Sequence, residues 1–405
     1  MQKKSIDTTL LFLVMGLVIF GMIVISSVSV YPSFKKTTTA LTQGYNYYFL
    51  VRNITHVIVG VLLMTFFSKF TYSFFEKYSK YILFGVYFSL IAVLLFGKKL
   101  NGATGWIDIP GLPSIQPVEF VKIGLLIYLA YFIKRKKSLL SHFQDGFIPY
   151  FLIAGGVFLL LALQPDFGSV LIIAPVIIAL YFVGGGNIRY LGISFLTCIL
   201  GVVSVYGIGK MTSGGEKSKL SYISTRIDNF LQDNHTLFIN TDTDGKDYQI
   251  KQGLIALGSG GFFGLGFGKS IQKFGYLPEV QGDFVFSVIV EELGSFGGSV
   301  LLLVYVFIIY RGYTIARAVK DPFGKYLAFG ISTLILVQVF VNVGVNLNVI
   351  PLTGVTLPFV SYGGSSLISL MVAVGILLNI SRYMEYTPKS QYSLGNKRRI
   401  SSESI

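Results

Sequence analysis

The chain has 405 residues, of which 53% are hydrophobic and only 13% are charged. Soluble globular proteins carry about 25% charged residues, so the composition excludes an ordinary soluble protein and also an intrinsically disordered one. The single cysteine, Cys198, excludes a disulfide framework, and three scattered histidines argue against a classical zinc site. The formal net charge of +14 is large for so few charged residues.

Apolar runs of about 20 residues recur along the chain, and each is long enough to cross a bilayer as a helix. The runs are continuous rather than alternating, which argues against a β-barrel. We therefore predict an all-α polytopic membrane protein with ten transmembrane helices. The predicted spans are approximately residues 8–30, 49–68, 79–97, 117–134, 146–164, 167–184, 189–209, 284–310, 326–349 and 364–383.

A large extracellular loop, residues 209–283, is predicted between the seventh and eighth spans. It is polar and Gly-rich, and connections of this length are usually functional or disordered. Its part from Tyr248 to Gly268 is weakly apolar, which suits re-entrant or interfacial backbone packed against protein. Residues 384–405 are polar and predict a disordered cytoplasmic tail, so the transmembrane domain is residues 1–383.

The basic residues indicate the orientation of the spans. With the N-terminus inside, the inner loops hold most of the lysines and arginines, including the run 134–137. The short outer loops hold only Lys35, Lys36, Arg52, Lys98 and Lys99. Because basic loops stay on the cytoplasmic side, both termini are predicted to be cytoplasmic. Most of the net charge then reflects topology and not a nucleic-acid surface.

Ionisable residues within membrane spans are costly and are therefore candidate functional residues. Glu119 and Lys122 share one helix face, where they either form a pair that fixes packing or leave the lysine to contact an anionic ligand. Asp166, in the tight turn Gln164–Gly168, is either a helix N-cap or a site residue. Asp283 starts the eighth span and is either a cap or, beside a pocket, a general base.

Two further segments have two interpretations each. Glu291 and Glu292 project about 80° and 180° around the helix from Asp283, so they cannot both join its site. They suit either a proton path or hydrogen bonds that pack helices. The segment 351–366 combines prolines and glycines with polar residues that include Ser361 and Tyr362. Such backbone at membrane depth either lines a cavity that holds an anionic or sugar group, or forms a packed outer loop.

Six sequence blocks, in this order, resemble the SEDS family of bacterial shape, elongation, division and sporulation proteins, which includes FtsW and RodA. The resemblance covers residues 8–383. The blocks are Asn101–Ala103 with Trp106 and Gln116–Glu119; Gln164–Ser169; Tyr222–Arg226; Tyr248-Gln249 with Ala256–Gly261 and Gly264–Gly268; Leu277–Glu279 with Asp283-Phe284 and Glu291–Gly294; and Leu357–Ser366.

This resemblance implies a peptidoglycan glycosyltransferase that polymerises lipid II outside the cytoplasmic membrane, during cell division or elongation. It implies a class B penicillin-binding protein as the partner, together with other divisome or elongasome membrane proteins. The family's essential aspartate falls on Asp283, and its outer Glu and Lys fall on Glu119 and Lys122. The Lys269–Lys273 segment and the Asp321–Gly324 loop resemble the FtsW branch more than RodA.

The implied chemistry gives each candidate a role. Asp283 is expected to be the general base or the ligand of a divalent cation, Mg²⁺ or Mn²⁺, and no other cofactor or metal site is expected. The undecaprenyl pyrophosphate leaving group needs cations. The expected substrate-binding residues are Glu119, Lys122, Asp166, Arg226, Lys273, Ser361 and Tyr362.

The chain departs from the family pattern at two places, and two other functions stay open. Thr104-Gly105 stand where many members have Arg or another polar residue, and Gln281-Gly282 replace the usual His-Thr before the aspartate. The acidic pair Glu291-Glu292 suits a lipid II flippase. The Gln281-Gly282 departure suits a non-catalytic divisome scaffold.

Overall fold

The computed structural model describes residues 5–38, 44–100, 103–108, 113–190, 192 and 245–384. The seventh predicted span, the first half of the large loop with Arg226, and the tail from residue 385 lie outside these residues. Among the described residues, twelve α-helices form the fold. They are α1 (Thr8–Val28), α2 (Val30–Thr37), α3 (Tyr48–Lys69), α4 (Ser73–Lys77), α5 (Ser79–Phe96), α6 (Val118–Lys136), α7 (Ile148–Leu163), α8 (Phe167–Val183), α9 (Gly245–Ser259), α10 (Val285–Ala318), α11 (Pro322–Asn346) and α12 (Gly364–Ser381).

Helices occupy the predicted positions of the nine spans that fall mainly on described residues. Seven helical segments in this part of the chain are long and apolar enough to cross a membrane, and α8 is apolar but shorter. The eighth span runs further than predicted, to Ala318, and the ninth begins earlier, at Pro322. The reason is a cap: the Asp321 side chain accepts a hydrogen bond from the Gly324 N–H, and Pro322 suits the first helical position.

The described half of the large loop is more ordered than a polar connection suggests. Its helix α9 packs against α10. A Gly-rich turn and a short 3-10 turn, Gln272–Phe274, follow it. The predicted packing of this segment against protein is therefore found, and its re-entrant or interfacial position stays a prediction. Elsewhere, a small antiparallel hairpin, β1 (Lys98–Leu100) and β2 (Ala103–Trp106), covers the outer end of α5.

The helices α11 and α12 are central in the bundle. α12 packs against α3, and α11 packs against α10, α8 and α6. Most residues of α11 and α12 are buried, whereas α5 directs Phe84, Phe88 and Leu95 outward. Exposed apolar side chains of this kind suit contact with lipid. The polar side chains of α11 are buried, so they contact other parts of the protein.

Ion pairs join the helices at the end of the bundle where α1 and α11 begin and α6 ends. Lys134 at the end of α6 contacts Glu76 at 2.7 Å and Asp321 at 2.8 Å. Asp7 caps α1 by accepting from the Leu10 N–H and also pairs with Arg311 of α10. These contacts lie near the C-terminal ends of α6 and α10, and the candidate site residues Glu119, Lys122 and Asp283 lie at the N-terminal ends of the same helices.

Candidate active site

A loop without helix, residues 351–363, connects α11 to α12 and lies between two of the predicted site residues. On one side, a Cβ added at Gly168 would lie 2.8 Å from the Thr353 carbonyl oxygen. On the other side, a Cβ added at Gly354 would lie 3.5 Å from Oδ2 of Asp283. The loop is thus packed between the turn that holds Asp166 and the carboxylate of Asp283.

Asp283 is half-buried and lies two residues before α10. Its carboxylate faces Gly354, whose positive φ of 76° is a conformation that glycine adopts easily. Its main-chain carbonyl accepts two hydrogen bonds, from the side-chain amides of Asn342 and Asn346, both at 2.9 Å. The backbone beneath the carboxylate is therefore held from α11.

Ser361 and Tyr362 bind the residues immediately before Asp283. The Ser361 hydroxyl donates to the Gly282 carbonyl at 2.7 Å and accepts from the Leu357 N–H at 2.8 Å. The Tyr362 N–H donates to the Gln281 carbonyl at 2.7 Å. These contacts give both residues a place beside Asp283, and their predicted contact with substrate stays a prediction.

Glu119 and Lys122 form the predicted pair in the first turns of α6. Their side chains meet at 2.8 Å and are 10% and 2% exposed. Asp166 is the N-cap of α8, where its carboxylate accepts from the N–H and the hydroxyl of Ser169. Burial raises the pKa of Asp166, while Ser169 and the nearby Lys122 act in the opposite direction. These three charged residues form one buried group, on the Gly168 side of the loop.

Lys273 lies in a different group, below the Gly-rich turn. Its amino group donates to Glu292 and Ser27 at 2.8 Å and to the Gly268 carbonyl at 2.7 Å. Glu291 accepts from the Ser270 hydroxyl and the Ile271 N–H. Glu291 and Glu292 therefore make packing hydrogen bonds, which was the alternative to a proton path. The amino group of Lys273 donates all three of its hydrogen bonds to other groups of the protein.

Two residues that contact Asp283 and one that contacts Tyr362 were missed in the sequence. Asn342 and Asn346 are one helical turn apart inside an apolar span, and this spacing of polar residues is the signal that could have found them. Arg52 of α3 makes a side-chain hydrogen bond to Tyr362 and lies over the ring of Tyr48. In the sequence, Arg52 was counted among the basic residues of the predicted short outer loops and was therefore not considered as a site residue.

Among the described residues, Asp283 is the candidate protein ligand for a divalent cation. No group of three or more His, Cys, Asp or Glu residues comes together in this part of the chain. Magnesium is commonly held by one or two carboxylates together with substrate phosphates. The donor set therefore fits a cation that arrives with a pyrophosphate better than a cation held by the protein alone.

Comparisons with known proteins cover almost the whole chain. A family model described as a cell cycle protein, for FtsW, RodA and SpoVE, matches residues 7–386. Stage V sporulation protein E of Bacillus subtilis is 36% identical over 391 residues, which cover 95% of this chain and 99% of that protein. The chain belongs to the FtsW/RodA/SpoVE family. It is accordingly a multi-pass membrane protein.

Other members of the FtsW/RodA/SpoVE family extend the comparison. A probable peptidoglycan glycosyltransferase FtsW of Bacillus subtilis is 36% identical over 95% of this chain and 92% of its own length. A chain from a study of polymerization and crosslinking by a peptidoglycan synthase complex superimposes with a TM-score of 0.73, at 25% identity, over 94% of this chain and 99% of its own. The crystal structure of Thermus thermophilus RodA gives 0.63, also at 25% identity, over 94% and 98%.

Proposed function

We propose that this chain is a peptidoglycan glycosyltransferase that polymerises lipid II into glycan strands at the outer face of the cytoplasmic membrane. The carrying observation is the carboxylate of Asp283, held at the outer start of α10 and facing the loop 351–363. The family of this chain, together with relatives named as probable peptidoglycan glycosyltransferases, supports this activity.

In the proposed reaction, Asp283 acts as the general base. The 4-hydroxyl of the acceptor GlcNAc loses its proton to the carboxylate while its oxygen attacks the anomeric carbon of the donor. The bond from that carbon to undecaprenyl pyrophosphate breaks, and the α-linked donor becomes a β-1,4 linkage with inversion. A half-buried carboxylate supported through its own backbone is suited to this transfer, because position contributes strongly to rate.

The leaving pyrophosphate needs a positive charge beside it, and we assign this role first to Lys122. This lysine is paired with Glu119, so the pair carries no net charge before substrate binds, and Lys122 becomes available to the pyrophosphate only if the pair rearranges. Arg226 is a second candidate and lies outside the described residues. A divalent cation bound by Asp283 and the pyrophosphate is the alternative role for this aspartate, and removal of metal with EDTA would then abolish polymerisation at every pH.

An apolar groove between α1 and α10 is suited to the prenyl tail of the substrate. It has a volume of about 550 Å³, and its lining residues Phe12, Phe296 and Val300 are exposed. Leu293, one of its lining residues, lies about 15 Å beyond Asp283 at the helical rise. Other lining residues are Gly16, Phe20 and Gly297. We propose that a prenyl chain lies here with its pyrophosphate above it.

The proposed assembly has ten transmembrane helices, a large extracellular loop and both termini in the cytoplasm. Its proposed partner is a class B penicillin-binding protein, and the similarity to a chain of a peptidoglycan synthase complex supports such a partner. Glu291 and Glu292, which suggested a flippase, hold the loop before α10, so we do not carry that function as a second proposal.

A purified-protein assay tests the proposed function. Fluorescent lipid II is supplied with and without the cognate transpeptidase, and glycan ladders are followed on a gel. We expect ladders from the wild type and a loss of at least about 100-fold for Asp283→Asn, the range expected for removing a general base. Asp108→Asn, an exposed carboxylate in the outer hairpin region, is the matched control and should polymerise normally.

Two results would contradict the proposal in different ways. The absence of ladders from the wild type in both conditions would remove the enzyme assignment. Normal polymerisation by Asp283→Asn would leave the enzyme but remove this residue as its base.

A further inference from the structure

Three amide side chains follow one another along the buried face of α11. They are Gln338, Asn342 and Asn346, each one turn after the previous one and each 1% exposed. Amide side chains are costly inside a membrane span unless they are hydrogen-bonded, so a run of three requires partners. Gln338 supplies contacts to Thr356 and Ser366, and the two asparagines supply contacts to Asp283.

Asn346 joins the backbone of Asp283 to the first turn of α10. Its amide N–H donates to the Asp283 carbonyl at 2.9 Å. Its oxygen accepts from the Ser287 N–H at 3.1 Å and from the Ser287 hydroxyl at 2.7 Å. The N-cap residue of this helix, Phe284, makes no side-chain cap, and the first N–H groups of any helix lack partners within it. Asn346 therefore caps α10 from another helix.

Asn342 joins the same carbonyl to the loop that the carboxylate faces. Its amide donates to the Asp283 carbonyl at 2.9 Å and to the Val355 carbonyl at 2.7 Å. Val355 follows Gly354, the residue whose added Cβ would lie near Oδ2 of Asp283. The side chain of Asn342 thus fixes the distance between the backbone of Asp283 and the loop residues that face the Asp283 carboxylate.

We propose that Asn342 and Asn346 are positioning residues for the carboxylate of Asp283. This inference rests on the proposed role of Asp283. Two donors on one carbonyl oxygen fix the plane of the peptide that follows Asp283, and this plane sets the direction in which the side chain leaves the backbone. Without them the buried carbonyl has unmet hydrogen-bonding capacity and turns toward another donor, which moves the carboxylate. A displacement of about 1 Å in an active site can cost about 100-fold in rate.

This role makes a specific kinetic prediction. Both asparagines act through Asp283, so their loss changes the step that the carboxylate performs and leaves substrate affinity largely intact. We expect Asn342→Ala and Asn346→Ala to lower kcat about 10-fold each and about 100-fold together, with KM unchanged within about twofold. The acid limb of the kcat–pH profile, which reports the base, should also move.

Asn379→Ala is the matched control. Asn379 is also an asparagine that is 1% exposed in a spanning helix, and it donates to Ser68 and accepts from the Tyr72 N–H at the inner end. Its loss should lower the melting temperature as much as the loss of Asn342, without moving kcat or the pH profile. If Asn346→Ala does not fold, Asn346→Asp, which keeps an acceptor for Ser287, takes its place.

The experiment measures kcat, KM and pH profiles of the purified full chain on lipid II, beside Asp283→Asn. Wild-type kcat and pH limb in the paired asparagine variant, with Asp283→Asn inactive, would overturn the positioning role and keep the base. An equal fall in kcat for Asn379→Ala would also overturn it, since the effect would then be general stability. A fully active Asp283→Asn would overturn the role of Asp283 as the base and the positioning role with it, while the enzyme assignment would stand.

Discussion

Glu119 and Lys122 form a buried ion pair, and the contribution of a buried pair to stability differs from that of an exposed pair. Their side chains are 10% and 2% exposed, and Oε2 of Glu119 has no hydrogen-bond partner among the described residues. Burial removes hydration from both ions, so the pair itself contributes little net stability while each partner depends on the other.

Lys122→Met should therefore destabilise the protein strongly, by about 3 to 5 kcal/mol, because it leaves Glu119 buried without a counter-charge. The double variant Glu119→Gln with Lys122→Met should recover most of this loss while remaining unable to polymerise lipid II. Thermal unfolding in detergent measures the first effect, and the glycan ladder measures the second.

The control for this pair is Lys98→Met. Lys98 contacts Asp108 at 3.0 Å, but the two side chains are 61% and 48% exposed. Exposed pairs contribute about 0 to 1 kcal/mol, so the melting temperature should hardly change. A double variant as unstable as Lys122→Met alone would contradict the argument from burial.

At the scale of elements, α10 behaves as two helical pieces joined at Gly294. This residue has φ of 75° and ψ of 177°, a combination available almost only to glycine. The break opens the helix to the Gly-rich turn: the Leu265 and Gly266 N–H groups donate to the carbonyls of Glu291 and Glu292. The outer piece, which begins beside Asp283, is thus held by the turn as well as by α11.

Gly294→Ala should damage this junction. A Cβ there would lie 2.2 Å from the Phe262 carbonyl oxygen, and the backbone would be strained by about 1 to 3 kcal/mol. We expect faster proteolysis within residues 260–275 and a lower melting temperature. Gly155→Ala in α7 is the control, because nothing lies within 4 Å of its added Cβ and alanine favours a helix. Equal proteolysis of the two variants would contradict the proposed junction.

The sequence was informative wherever the cause was local. The spacing of Glu119 and Lys122 was enough to offer pairing as one of two interpretations, and Asp166 before Phe167 was enough to raise the possibility of a cap. The break at Gly294 was not predicted, because an isolated glycine is tolerated within a helical pattern. It requires the turn that packs against it.

Contacts between distant parts of the chain were beyond the sequence patterns. Asn342 meets the Asp283 carbonyl across 59 positions, and Lys273 meets Ser27 across 246. The sequence suggested that Lys273 could bind a pyrophosphate, but the structure shows its amino group donating hydrogen bonds within the protein. Asn342 and Asn346 resembled ordinary helix residues, but their side chains bind the backbone of Asp283.

At the scale of the whole molecule, the proposed topology puts the inner ion pairs in the cytoplasm and Asp283 outside. Cysteine labelling tests it in a Cys198→Ser background. A cysteine at the exposed Tyr276 should react with a membrane-impermeant maleimide in intact cells, and one at the exposed Lys137 should react only after lysis. Labelling of Lys137→Cys in intact cells, at the rate of Tyr276→Cys, would contradict the proposed orientation.

The uneven burial of the ion pairs has a consequence for the response to ionic strength. Dissolved salt screens exposed charges over about 10 Å at 0.1 M and screens buried ones much less. Lys273 and Glu292 are each 4% exposed, while Lys134 and its two acids are 19 to 30% exposed. Concentrated salt would therefore weaken the exposed Lys98–Asp108 pair first, then the pairs of Lys134, and would leave the pair that joins Lys273 to Glu292 nearly unchanged.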